Sequence, residues 1–281
     1  MKRTAVLFLF SPLLLLLAAP ALRAQGIVDL VVSADTLSAR IELPEGIGAD
    51  LTIAFEKAVG LTADALGLAA QLVDPTDLSL LSRLPSSVAI PAGFPVLLHI
   101  APPATGGLSF SGVAAVNLHT HNLPFAADTP LRLFRAAAGG GFEDVTQAMG
   151  MGSYRVNGTS GGFSEWMIVT DTRAVDVVIN GKFYRLEGLL DAHEALIAPA
   201  VHADLVDRLA AAHAAYQAGA LVTAIQQVEG LAATVKAHSG TDVPDVWRSA
   251  GDLANVAGAL RAAADTLRFS LNLKSNAGGL L

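Results

Sequence analysis

Between Pro130 and Asp171 the chain reads PLRLFRAAAGGGFEDVTQAMGMGSYRVNGTSGGFSEWMIVTD, a series of short alternating runs broken by glycine clusters. Leu131 and Leu133, Tyr154 and Val156, and Trp166 and Ile168 fall two residues apart, which places each pair on one face of a strand. The glycines between them supply tight turns. Such a stretch can fold only as consecutive strands, and the rest of the first half repeats the pattern.

Upstream, Ile27 to Val32, Leu37 to Leu43 and Leu51 to Phe55 are short runs with partial period-two character. Leu66 to Val73 fits a strand or one helical turn, and the Asp74-Pro75 turn that follows favours the strand. Leu78 to Leu84 fits a short helix. Prolines bracket FPVLLHIA, a strand containing His99. Leu108 to His121 is longer, with Val116, Leu118 and Thr120 on one face and Asn117, His119 and His121 on the other. Val175 to Ile179 reads as a last strand, stopped by Asn180-Gly181. About ten strands with turns every 8–12 residues predict an antiparallel, Ig-like β-sandwich over residues 25–180. A closed barrel has the same periodicity and stays open. No fixed repeat is present, which argues against a solenoid or propeller.

After Phe183 the period changes to that of helices. Leu186, Leu189, Leu190 and Leu196 mark a short helix ending before Pro199; a second carries Leu205, Leu209, Ala212 and Tyr216 and stops at Gly219. A third carries Leu221, Ile225, Val228 and Val235, with Gly240 beyond it. A fourth starts at Asp242 or Pro244 and carries Leu253, Val256, Leu260, Ala264 and Leu267. Short connections predict antiparallel packing of these helices, an α-helical hairpin or bundle over residues 181–274. Leu267 to Leu273 also alternates, so helix and returning strand both remain open there. Residues 275–281 read as a flexible tail.

Lys2 and Arg3, the apolar runs from Ala5 to Ala19, and small residues at Ala19, Ala21 and Ala24 form a Sec-type signal peptide over residues 1–24, cleaved after Ala21 or Ala24. The product is expected to be periplasmic or extracellular, with no membrane span after cleavage. There is no cysteine, hence no disulfide framework and no lipid-anchored cysteine; a chain of this size buries an adequate core without either. Removing Lys2, Arg3 and Arg23 from the 18 basic residues leaves 15 against 25 acidic ones, a formal charge of −10. That balance excludes phosphate backbones and anionic membrane surfaces as favoured partners.

Two resemblances follow from longer runs. PLRLFRAAAGGGFEDVT, GSYRV and GGFSEWMIV, with AGALRAAADTLRFSL downstream, resemble a family of exported Gram-negative bacterial proteins of unknown function. This implies kinship over nearly the whole mature chain and no particular activity. LVDRLAAAHAAYQAGALVTAIQQVEGLAATVKAHSGTDVP resembles the C-terminal helical module of secreted bacterial hydrolases and surface proteins, which implies an accessory or attachment role.

Candidate chemistry is sparse. His119 and His121, two apart on one strand face, are spaced as metal ligands, and His99 on a neighbouring strand could join them. A cupin-like site would also need an acid soon after the second histidine, and Asn122 to Ala126 offers none. Gly158-Thr-Ser160-Gly-Gly162 matches serine-nucleophile patterns, but strands flank it where a strand-to-helix elbow is required. His119 lies only 41 residues before Ser160, too few for a chymotrypsin-like barrel pair. The segment therefore reads as a hairpin turn. Phe163-Ser164 lacks the preceding histidine of self-cleaving sandwich domains and reads as a core anchor opening a strand. Glu143 and Asp144 are adjacent on a strand and so face opposite ways. His193, His202, His213 and His238 lack the i, i+4 pairing of a zinc helix. Trp166 and Trp247 read as one core anchor for each domain.

No catalytic set and no cofactor are expected. The residues point to an exported, non-catalytic binding or structural module of the cell envelope, with an envelope or extracellular protein or a glycan as partner. The alternative is a metal-binding periplasmic protein or metal-dependent hydrolase centred on His119 and His121.

Overall fold

The computed structural model describes residues 26–126 and 128–278; the export signal expected at residues 1–24 lies outside them. The alternating runs become strands. β1 (Ile27–Val32), β2 (Thr36–Leu43) and β3 (Ile47–Val59) form a meander. One helical turn, α1 (Ala63–Leu66), leads into β4 (Leu68–Leu72), so the ambiguous segment from Leu66 to Val73 is the favoured strand, with Leu66 closing the helical turn before it. α2 (Leu78–Leu81), β5 (Val88–Ala89), β6 (Val96–Ile100) and the long β7 (Ser109–Pro124) follow. The glycine-punctuated stretch supplies β8 (Leu131–Ala136), β9 (Glu143–Asp144), β10 (Thr146–Gly150), β11 (Ser153–Ser160) and β12 (Glu165–Asp171).

These strands make two open antiparallel sheets, so the barrel alternative does not form. The first runs β1-β2-β3-β7-β11-β10, the second β4-β6-β12-β8-β9 with β5 also paired to β12. Leu37, Ile41, Ile53, Val116 and Leu118 of the first sheet share one buried cluster with Leu98, Leu133, Trp166 and Ile168 of the second. The other face of the second sheet packs Phe134, Met167 and Val169 against Leu80 of α2.

Gly158 to Gly162 is not a hairpin turn. β11 pairs with β7 and β10, whereas β12 pairs with β6 and β8, so this segment carries the chain from one sheet to the other. The glycine at 161 is needed for a close approach to a helix. A Cβ there would lie 2.6 Å from the backbone nitrogen of Ala259 and 2.8 Å from the carbonyl carbon of Gly258.

The second half holds α3 (Val175–His193), a 3-10 turn at Glu194–Leu196, α4 (Pro199–Gln217) and α5 (Leu221–Ala237). Val175 to Ile179, expected as a strand, is the start of α3. Ile179, Phe183, Leu186 and Leu190 recur at helical spacing and enter the helical core, and that stripe overrides the local β-branched preference. The helix expected from Asp242 or Pro244 starts later. Val246–Arg248 instead forms β13, paired to β7 with Trp247 opposite Phe110. α6 then runs from Val256 to Gly278, so Leu267 to Leu273 is helical and the expected tail is helix as far as Gly278. Trp247, expected in the helical core, packs instead on Phe110 and Phe163, with ring centroids 5.4 and 5.2 Å away.

The helices have their own apolar cluster, separate from that of the sheets. The two meet along a polar seam. Lys182 of α3 donates to Asp144 Oδ2 (2.6 Å), Thr266 Oγ1 (2.7 Å) and Ser270 Oγ (2.9 Å), all buried. The Thr266 hydroxyl in turn donates to the carbonyl of Thr146 (2.9 Å). At the start of α6, Asn255 Oδ1 accepts the Gly258 N–H (2.8 Å) as a cap, and Asn255 Nδ2 donates to the Gly112 carbonyl (2.6 Å). Arg261 clamps Glu56 of β3 with both terminal nitrogens, at 2.7 and 2.5 Å.

Candidate metal centre

β3 and β7 are central neighbours in the first sheet, in a register that sets Asp50 opposite His119. Along β3, Ala49, Leu51 and Ile53 are buried, which turns Asp50 outward; along β7, Leu118 and Thr120 are buried, which turns His119 and His121 outward. Three donors therefore converge on the outer face of the sheet. Asp50 Oδ2 lies 3.2 Å from His119 Nδ1 and 3.2 Å from His121 Nε2, and one ligand atom from each residue lies within 4.8 Å of the others. The two rings meet edge-on, with centroids 5.3 Å apart.

The remaining nitrogen of His119 is held as well. Its Nε2 sits 2.6 Å from Ser153 Oγ at the start of β11, the kind of outer hydrogen bond that fixes ring orientation in metal sites. Hydrogen bonding to His121 holds the Asp50 carboxyl below its usual value against the opposing effect of burial, with the imidazole charges and the His119 bond adding to it. The ionised Asp50 carboxylate is the oxygen donor of the cluster.

The edge of a tetrahedron around a zinc-sized ion with ~2.0 Å bonds is about 3.3 Å, so the two 3.2 Å contacts to Asp50 match a shared coordination shell. Three protein ligands leave a position open to solvent or a fourth ligand. A nitrogen-rich, single-carboxylate set suits Zn²⁺, Ni²⁺ or Cu²⁺ rather than Ca²⁺ or Mg²⁺.

His99 does not join this group. It lies on β6 of the second sheet, where it contacts Gln71 Nε2 (3.2 Å) and Glu165 (3.8 Å). Period alone put it on a strand; only the strand order put that strand in the other sheet. Asp50 and Ser153 escaped the sequence reading because nothing local links them to His119, 69 and 34 residues away. The outward phase of Asp50 on its strand was the one available signal.

The serine and acid candidates separate. Ser160 is opposite Ala114 on β7 and His119 is opposite Arg155 on β11, five residues or about 17 Å along the ladder. Glu143 and Asp144 do diverge, Glu143 to Arg135 and Arg185, Asp144 to Lys182. His213 stacks on Phe183 (centroids 4.5 Å), and His238 bonds Asp242 (2.6 Å). Phe163 packs against Phe55 and Phe110 as an anchor before β12.

Among the described residues no helix is long and apolar enough to cross a membrane. A family model described as "Family of unknown function (DUF6689)" matches residues 12–274, and the chain belongs to that family. No curated protein matches it.

Proposed function

We propose that this chain is an exported, non-catalytic binding module of the bacterial cell envelope that holds a transition-metal ion on the outer face of its first sheet. His119 Nδ1, His121 Nε2 and Asp50 Oδ2 supply the ligands, Ser153 orients His119, and the open position faces the partner. The observation that carries this reading is the convergence of three donors from two strands on one solvent-facing point. Export rests on the residue pattern of 1–24, and the cysteine-free composition is compatible with it. In this reading the chain up to Ala174 forms an Ig-like sandwich domain, and the chain from Val175, the first residue of α3, to residue 274 forms an accessory helical domain. The partner is an envelope or extracellular protein or a glycan.

One carboxylate is a modest charge for a divalent ion, and Arg155 stands opposite His119 on β11. Affinity should therefore come from the imidazoles. Metal-free, untagged mature protein titrated with Zn²⁺ and Ni²⁺ in a calorimeter is expected to bind one equivalent. His119→Ala and His121→Ala should each abolish the heat, and Ser153→Ala should weaken binding about tenfold. Elemental analysis of metal-replete protein showing less than about a tenth of an equivalent would end this reading.

A further inference from the structure

A second cleft lies between the end of β8, the Ser160–Gly162 crossover, α3 and the start of α6. Leu131, Leu133 and Arg135 alternate along β8; the first two enter the shared core, and Arg135 continues the same face to where that core ends. Its register partner on β9 is Glu143. Arg185 of α3 reaches the same carboxylate, so Glu143 meets Arg185 at Oε2 while its Oε1 lies 3.6 Å from Arg135 Nη1. The two guanidinium groups open on a cleft of about 250 Å³, close to the lower limit of small-ligand pockets.

The charges there do not balance. Two cations share one carboxylate, and among the described residues no aspartate or glutamate lines the cleft. The Arg135 side chain makes no hydrogen bond among the described residues, and its Nε is buried without a partner. Burial pushes both guanidinium groups down to about 10, and the charge of Arg135 adds to the effect at Arg185. Both arginines are half-buried, and the buried, unpartnered Nε of Arg135 is unfavourable unless an anion completes the guanidinium's bonding.

The surroundings narrow the anion. Ser160 Oγ accepts the Gly162 N–H (3.2 Å), and its own proton has no acceptor among the described residues, leaving a donor at the cleft. One wall is apolar, made by Trp247 and by Ala259, Ala262 and Ala263 of α6. At the start of α6 the N–H groups of Ala257, Gly258 and Ala259 already bond the Pro244 carbonyl, Asn255 Oδ1 and the Asn255 carbonyl, which leaves few of the free N–H groups that phosphate sites use. One uncompensated positive charge on planar guanidinium forks matches a monoanion with two oxygens.

We propose that this cleft binds a small organic carboxylate, its carboxyl group on Arg135 and Arg185 and its apolar body against Trp247 and the alanine face of α6. This site is separate from the metal centre and does not depend on it. The test titrates the full mature chain, metal-free, with benzoate and 4-methylpentanoate, using benzamide and inorganic phosphate as comparators. Calorimetry gives the stoichiometry, and tryptophan emission reports the Trp247 wall.

The expected result is one-site binding of a carboxylate, with benzamide and phosphate at least about tenfold weaker. Arg135→Gln and Arg185→Gln should each weaken the carboxylate by a similar factor, and His119→Ala should leave it unchanged. Because the acid–amide comparison is made on the unmodified chain, it decides even if an arginine variant fails to fold. Equal binding of acid and amide, tighter binding of phosphate, or no saturation by about 10 mM carboxylate would overturn the proposal. So would an Arg135→Gln protein that binds as the parent does, or a loss of binding in His119→Ala.

Discussion

Lys182→Met is expected to destabilise the protein by about 3–5 kcal/mol, measured by equilibrium urea unfolding. Lys182 and Asp144 are 6% and 8% exposed, and the ammonium group is the donor that joins α3 to β9 and α6. Methionine keeps most of the side-chain volume but leaves the Asp144 carboxylate buried, with the Thr146 N–H (2.9 Å) as its remaining donor among the described residues. It also strips a partner from Thr266 and Ser270. The double variant Asp144→Leu with Lys182→Met removes both charges, and it should recover much of the loss. A single variant that loses less than about 1 kcal/mol would show that the seam carries little of the stability.

The same pair sets an acid limit. Burial alone would raise the Asp144 carboxyl, but the charge and hydrogen bond of Lys182 and the bonds from Thr146 outweigh it and hold the group below 3.8. Burial lowers Lys182 against the pull of the Asp144 charge and hydrogen bond. For a carboxyl depressed on folding, the unfolded chain takes up its proton first. The stabilisation is present above the unfolded value of about 3.8 and is lost as pH falls through the lower folded value. Unfolding free energy should therefore drop in that window, and the double variant should show a shallower drop. Parallel slopes for both proteins would refute this account of the acid transition.

Trp166→Ala should be comparably severe, about 3–5 kcal/mol by the same measurement. Trp166 is fully buried on β12, opposite Leu98 of β6 and Arg135 of β8, and it belongs to the core that both sheets share. Its removal opens a cavity between layers held rigidly by their ladders. The indole Nε1 has no partner among the described residues, so Trp166→Phe removes no hydrogen bond and should lose only about 1–2 kcal/mol. If the alanine variant loses no more than the phenylalanine one, the inter-sheet core is not what holds the layers together.

Local pattern carried much of this structure. Burial alternation on β7 put Asn117, His119 and His121 on one outward face, because a strand's side-chain period is set by the backbone alone. Gly219, at φ +75°, ends the α4 region where the helical stripe runs out. Where the pattern misled, two periods were both present. Val175 to Ile179 carries four β-branched residues in five, yet Ile179 also begins the stripe that Phe183, Leu186 and Leu190 continue into the helical core. Leu267 to Leu273 alternates, yet Leu267 and Leu271 are one helical turn apart and bury together. Burial of a continuous stripe outweighs propensity over a few residues.

The residue order by itself determined the kind of element at most positions and the direction each strand residue faces, since both follow from spacing within a few residues. Only the tertiary structure decided which strands are neighbours. That choice put Asp50 beside His119, sent His99 to the opposite sheet, and set Arg135 and Arg185 on one carboxylate. Strand order and layer packing depend on the burial of the whole apolar surface at once. No local window of the chain contains that sum.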